Sequence, residues 1–242
     1  GHLLQMFIDV PYEAGVGLTL LIVVLYTCVG GFVSVVRTDV MQGLLMLVGS
    51  VVIFYFVTRA AGGVTSITTL SALPDKQFLF ELNGGIPFAV LLGVSLSGSL
   101  KLLADPRQLS RFYALKDEAE VRRGKWIATI GLAIVLGCLF PVGIYAHLIL
   151  TDVTDTDLIV PSLVNDASVF PLWATDFLIV SILAAAMSSM DSVLLVAAST
   201  LYKNIVAPFN SSSRELLWTR TAVIGFSIVA ALLALNPPGD IV

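Results

Sequence analysis

The 242-residue chain is 57% hydrophobic and 12% charged, with a formal net charge of -4 and a mean hydropathy of +0.95. A soluble domain carries about 25% charged residues, so this composition excludes a disordered chain and points away from a water-soluble enzyme domain. No basic stripe suggests nucleic acid. Cys28 and Cys138 both lie in apolar runs and read as small buried hydrophobes rather than a disulfide or metal pair.

A membrane-spanning helix needs about 20 mostly apolar residues, and six segments qualify. In chain order they are 15–36, 40–58, 86–104, 126–150, 175–205 and 216–235. The first two are expected to be separated by a tight turn at Arg37-Thr38-Asp39. The connection 60–85 is polar and rich in Gly, Ser and Thr, and the strongly charged connection 105–125 is expected to hold a short surface helix around 115–123. The connection 151–174 carries Asp152, Asp155, Asp157 and Asp166 without Lys or Arg. The next carries Lys203, Ser211–Ser213 and Arg214, and Pro237-Pro238-Gly239 ends the last helix. None of the segments shows the ten-residue alternation of a membrane barrel strand.

Basic residues are retained on the cytoplasmic side. Of the 13 Lys and Arg, 11 fall on the connections after the first, third and fifth segments or on the adjoining helix ends, leaving Arg59 and Lys76 opposite. This places the 105–125 loop in the cytoplasm and the N-terminal stub outside, in a multi-pass protein of the cell membrane.

The segment 175–205 holds Ala184-Ala185-Ala186-Met187-Ser188-Ser189-Met190-Asp191-Ser192. Entering the membrane near Asp176, the helix reaches Ser188 after roughly 18 Å, close to the middle of the hydrocarbon. Ala185, Ser188, Ser189 and Ser192 fall at i, i+3, i+4 and i+7 and share one face. Two readings stand side by side: a hydroxyl-lined cation site, or a small-residue packing face with Ser bonded to backbone carbonyls. Asp191 has the same two readings. A mid-membrane carboxylate costs on the order of 3 kcal/mol and rarely faces lipid, so it serves either the ion or a hydrogen bond to a neighbouring helix. Asp39 is either the N-cap of the second segment or a gate residue at the cytoplasmic mouth. Gly93, Ser95, Ser97, Gly98 and Ser99 mark the third segment as a candidate broken helix or as a tightly packed one. Gln42 and Asn83 are weaker candidates. With two distant histidines, no HExxH, no GxSxG and no phosphate-binding loop, the common catalytic motifs are absent.

Three blocks in order carry a family resemblance. The first is Tyr26-Thr27-Cys28-Val29-Gly30-Gly31-Phe32-Val33-Ser34 with Thr38-Asp39-Val40-Met41-Gln42. The second is Asp105-Pro106-Arg107-Gln108-Leu109-Ser110-Arg111-Phe112, where Pro106-Arg107 stands in place of a usual Pro-His. The third is Ala185 through Ser192. Together they resemble the sodium:solute symporter family, which includes sodium/glucose, sodium/proline and sodium/pantothenate cotransporters.

The resemblance implies an all-α polytopic membrane helix bundle: about core helices four to nine of a LeuT-type, five-plus-five inverted-repeat transporter. It implies a sodium ion held by the Ala185 carbonyl and the Ser188 and Ser189 hydroxyls; Asp39, Asp191 and Ser192 are candidate gate or coupling residues from the reading of the residues themselves. Its remaining ligands are expected from a first core helix, so the chain is expected to be incomplete at both ends. The partners implied are a small-molecule solute, the lipid bilayer and the missing helices of the same transporter. The expected function is sodium-coupled symport of a small organic solute. The alternative is a non-transporting membrane sensor or scaffold domain of the same fold.

Overall fold

The computed structural model describes residues 4–5, 9–72, 77–80, 86–150, 159–209 and 215–235. Lys76, Asn83, Asp152, Asp155, Asp157, Ser211–Ser213, Arg214 and Pro237–Gly239 lie outside the described residues. The described residues are helical or irregular, with no strand among them. The helices are α1 (Tyr12–Ala60), α2 (Ser66–Ser71), α3 (Phe88–Ala104), α4 (Pro106–Tyr113), α5 (Glu118–Ile149), α6 (Ile159–Asn165), α7 (Leu172–Leu201) and α8 (Glu215–Leu235). A 3-10 turn spans Gln77–Phe80, and a π turn, Tyr202–Val206, extends α7.

Four helices are long and apolar enough to cross a bilayer, and α3 with α4, bent by 44°, forms a fifth candidate. At 1.5 Å per residue α1 would be roughly 74 Å long, more than twice the hydrocarbon thickness. It is not one rod. Gly31 has φ 55° and ψ -148° inside it, close to the mirror image of the first corner of a type II turn, about (+60°, -120°). Only glycine takes that conformation without strain. The turn expected at Arg37-Thr38-Asp39 is therefore corrected: these residues are helical, and the chain is redirected at Gly31. Asp39 lies inside the helix and is not an N-cap.

Two other expectations are corrected. The surface helix after the third segment is α4, not 115–123. Asp105 caps it by accepting from the Arg107 N–H at 2.9 Å, and Pro106 occupies its first position, where a missing N–H costs nothing. Asp117 accepts from the Glu120 N–H at 2.9 Å and starts α5, which absorbs residues 118–123. The glycines of α3 do not break it. Both cysteines are free and half-buried rather than fully buried.

The chain divides into two compact units, 47–178 and the combination of 1–46 with 179–242. In the 47–178 unit, α1 ends in a Schellman motif: the Gly62 N–H donates to the Arg59 carbonyl at 3.2 Å and the Gly63 N–H to that of Thr58 at 2.8 Å. Gly62 supplies the required positive φ of 95°. Phe56 packs there against Phe170 and Trp173, with ring centroids 5.6 and 5.8 Å apart. In the other unit, the Tyr12 hydroxyl donates to the Ala234 carbonyl at 2.8 Å, tying the start of α1 to the end of α8. Leucine, valine and isoleucine are exposed along all the long helices, as lipid-facing surfaces require and a soluble protein avoids.

Candidate functional site

The unit formed by 1–46 and 179–242 gathers most of the residues singled out by sequence. Ser188 is the seventeenth residue of α7 and lies near the middle of the apolar stretch Leu172–Val206. Its hydroxyl donates to Asp39 Oδ1 at 2.5 Å, so two candidates from different ends of the sequence meet. One turn further along α7, Asp191 has none of its surface exposed, and its Oδ2 accepts from the Tyr26 hydroxyl at 2.7 Å. The Ser192 hydroxyl donates to the Ser188 carbonyl at 2.9 Å and has Asp191 Oδ1 at 3.3 Å. Tyr26 stood in the first sequence block without an assigned role. The signal available was that a mid-membrane carboxylate needs a donor, and the block contains one aromatic hydroxyl.

Ala185 and Ser189 form a second oxygen pair. The Ser189 hydroxyl is 3.4 Å from the Ala185 carbonyl oxygen. The Ser189 hydroxyl donates to that carbonyl as the Ser192 hydroxyl does to that of Ser188, the backbone bonding of a packing face, and a separation of 3.4 Å is also that of two oxygens about 2.4 Å from a hard cation at a right angle. Ser188, next in sequence to Ser189, turns its proton toward Asp39. The donor set is carbonyl, hydroxyl and carboxylate oxygen, which suits a hard cation rather than a transition metal.

The break at Gly31 borders this cluster. The last carbonyls before a helix break lack intrahelical donors, and the Arg220 guanidinium of α8 lies 3.4 Å from one of them, that of Val29. Two buried oxygens of the unit, Thr27 Oγ1 and Gln42 Oε1, have no hydrogen-bond partner among the described residues.

Outside the spans, the charged connection is locally ordered. Arg107, beside Asp105, donates to both of its carboxylate oxygens and holds its pKa down to about 2. In the connection before α7, the Ser168 hydroxyl and N–H, at 2.7 and 2.8 Å, hold the Asp166 carboxyl below the usual carboxylate range.

Long apolar helices carrying an oxygen-lined cluster, with Asp191 and Ser192 buried in it, define a multi-pass membrane protein with polar groups inside its spans. The chain belongs to the sodium:solute symporter family, whose model matches residues 1–240. That is a family of symporters rather than enzymes. The chain is 30% identical over 250 residues to the osmoregulated proline transporter OpuE of Bacillus subtilis, covering 100% of this chain and 50% of that protein. It is 30% identical over 248 residues to the sodium/pantothenate symporter of Escherichia coli, covering 100% and 51%. With the high-affinity proline transporter PutP of Bacillus subtilis it shares 30% identity over 253 residues, covering 97% and 50%. The chain thus spans about half the length of the curated relatives it matches. No solved structure matches it.

Proposed function

We propose that the chain is part of a sodium-coupled secondary symporter of the cell membrane, holding about core helices four to nine of a five-plus-five inverted repeat. The observation that carries this reading is the oxygen cluster on α7, with the Ala185 carbonyl and Ser189 hydroxyl 3.4 Å apart and Ser188 bonded to Asp39. Ala185, Ser188 and Ser189 line the sodium path. Ser188 gives its proton to Asp39, so its lone pairs are left for a cation, and the charged acceptor polarises the hydroxyl. Asp39 thereby senses whether sodium is bound, and Tyr26, Asp191 and Ser192 hold α1 to the same stretch of α7.

The solute is a small organic carboxylate. The relatives are named for proline and pantothenate, and both molecules carry one. Family membership favours symport over the scaffold reading. The 105–125 loop faces the cytoplasm, as the distribution of Lys and Arg supports.

The test is sodium-driven uptake by the full-length transporter. Ser188→Ala and Ser189→Ala remove an oxygen with little change in volume and keep a good helix former. Each is expected to raise the sodium concentration for half-maximal uptake before expression falls. An unchanged sodium dependence in both variants would overturn the assignment.

A further inference from the structure

A cavity of about 430 Å³ lies within the 47–178 unit, between the last turns of α1 and the segment that leads into α7. Phe56 and Arg59, three residues apart and so on one face of α1, form one side, and Ser168, Phe170 and Pro171 form the other. Arg59 is the only charged residue in the lining. Among the described residues it has no ion-pair partner. Asp166, which precedes the opposite wall in sequence, is engaged by the hydroxyl and N–H of Ser168. Phe170 is 2% exposed and locked against Phe56, so the apolar wall is preformed. The volume falls within the range of about 300–1,000 Å³ usual for small-molecule sites.

An exposed guanidinium beside a rigid aromatic wall recognises a planar anion joined to an apolar body. Arginine offers a carboxylate two parallel N–H donors. We propose that this cavity is a binding site for a small organic carboxylate, with Arg59 on the carboxylate and Phe56 and Phe170 against the apolar body. It shares no residue with the oxygen cluster on α7. The proposal rests on the symport reading for its solute class and makes this cavity a capture site for the transported molecule. Because α1 ends here on the side poor in Lys and Arg, the site faces the exterior, where solute arrives.

The test uses the full-length transporter with every tryptophan but Trp173 replaced by Phe, Trp126 and Trp218 among them, so that Trp173, in contact with Phe56, reports from the cavity. The probes are pantothenate and panthenol, which share a body and differ in carboxylate against alcohol. A saturable change in Trp173 fluorescence is expected with pantothenate and not with panthenol. Arg59→Gln is expected to raise the half-saturating pantothenate concentration about tenfold in both fluorescence and uptake, as loss of a charged pair implies. Arg59→Lys, which keeps the charge, is expected to stay closer to wild type and shows that the protein still folds. Equal responses to the two probes, no response to pantothenate, or an unchanged titration in Arg59→Gln would overturn the site. Pantothenate-saturable fluorescence without sodium-driven uptake would support the site and overturn the symport reading. Sodium-driven uptake without a fluorescence response would do the reverse.

Discussion

Asp191 has no exposed surface, and a buried carboxylate survives only with donors or a cation beside it. Tyr26 supplies the shortest contact it has, at 2.7 Å. Tyr26→Phe leaves the ring in place and takes away the donor, so it is expected to destabilise the detergent-solubilised protein by roughly 1–3 kcal/mol, the cost of an under-satisfied buried acceptor. In Asp191→Asn the charge is gone, and adding Tyr26→Phe to it should cost much less. Thermal melts of the two single variants and the double variant give this cycle, and additive losses would show that the hydroxyl does not support the charge. Asp39→Asn is expected to weaken sodium coupling, read as a raised sodium requirement for uptake, because the Ser188 hydroxyl then loses its charged acceptor. Each of these residues was legible in the sequence as a polar group inside an apolar run. Their pairing was not. Tyr26 and Asp191 are 165 positions apart, as Asp39 and Ser188 are 149, and periodicity carries no information about contacts between separate helices.

The break in α1 depends on two adjacent glycines for different reasons. Gly31 needs a positive φ, and Gly30 needs empty space, since a Cβ there would lie 2.0 Å from the Ser34 Cβ. Gly31→Ala is expected to cost about 1–3 kcal/mol, the strain of placing a Cβ in a backbone region that favours glycine. Gly30→Ala is expected to cost more, because the obstacle is fixed to the backbone. Removing it with Ser34→Gly should restore part of the melting temperature to Gly30→Ala and none to Gly31→Ala. The sequence marked the existence of two apolar segments here but put the turn at the charged residues 37–39, because a polar tripeptide between apolar runs reads as a loop. Polarity is a weaker signal than the stereochemistry of a Gly-Gly pair. The start of α4 was misplaced for a similar reason: its residues are polar, while Asp105-Pro106 is a strong N-terminal signal. Arg107 holds the Asp105 carboxyl at about 2, below the ordinary range. The cap is therefore complete above pH 4 or so and is lost as pH falls through about 2. The Arg107 amide resonance should move with that midpoint, and Asp105→Asn should abolish the transition.

The chain has more apolar surface than a soluble protein can expose, and its long helices present it outward. A bilayer removes the cost of that exposure, and the same bilayer makes Asp39, Asp191 and the serines expensive wherever they are not paired. Composition alone therefore conveys the class of fold, and the positions where polar groups interrupt it mark the candidate residues, whereas the cavity beside Arg59 needs the approach of residues 56–60 to 167–171 and has no counterpart in the sequence. The proposed orientation rests on the uneven distribution of Lys and Arg, 11 of 13 of which fall on the connections assigned to one side. In a cysteine-free full-length background, with Cys28→Ser and Cys138→Ser among the replacements, a cysteine at the exposed position Ala167 should react with a membrane-impermeant maleimide on intact cells. A cysteine at the exposed position Lys116, between α4 and α5, should react only after the membrane is permeabilised. The two positions are separated by the single span α5, so opposite reactivity is required of any arrangement in which that helix crosses once. Lys116 reactive from outside, with Ala167 protected, would reverse the orientation and turn the Arg59 cavity toward the cytoplasm, where it would meet solute leaving rather than arriving.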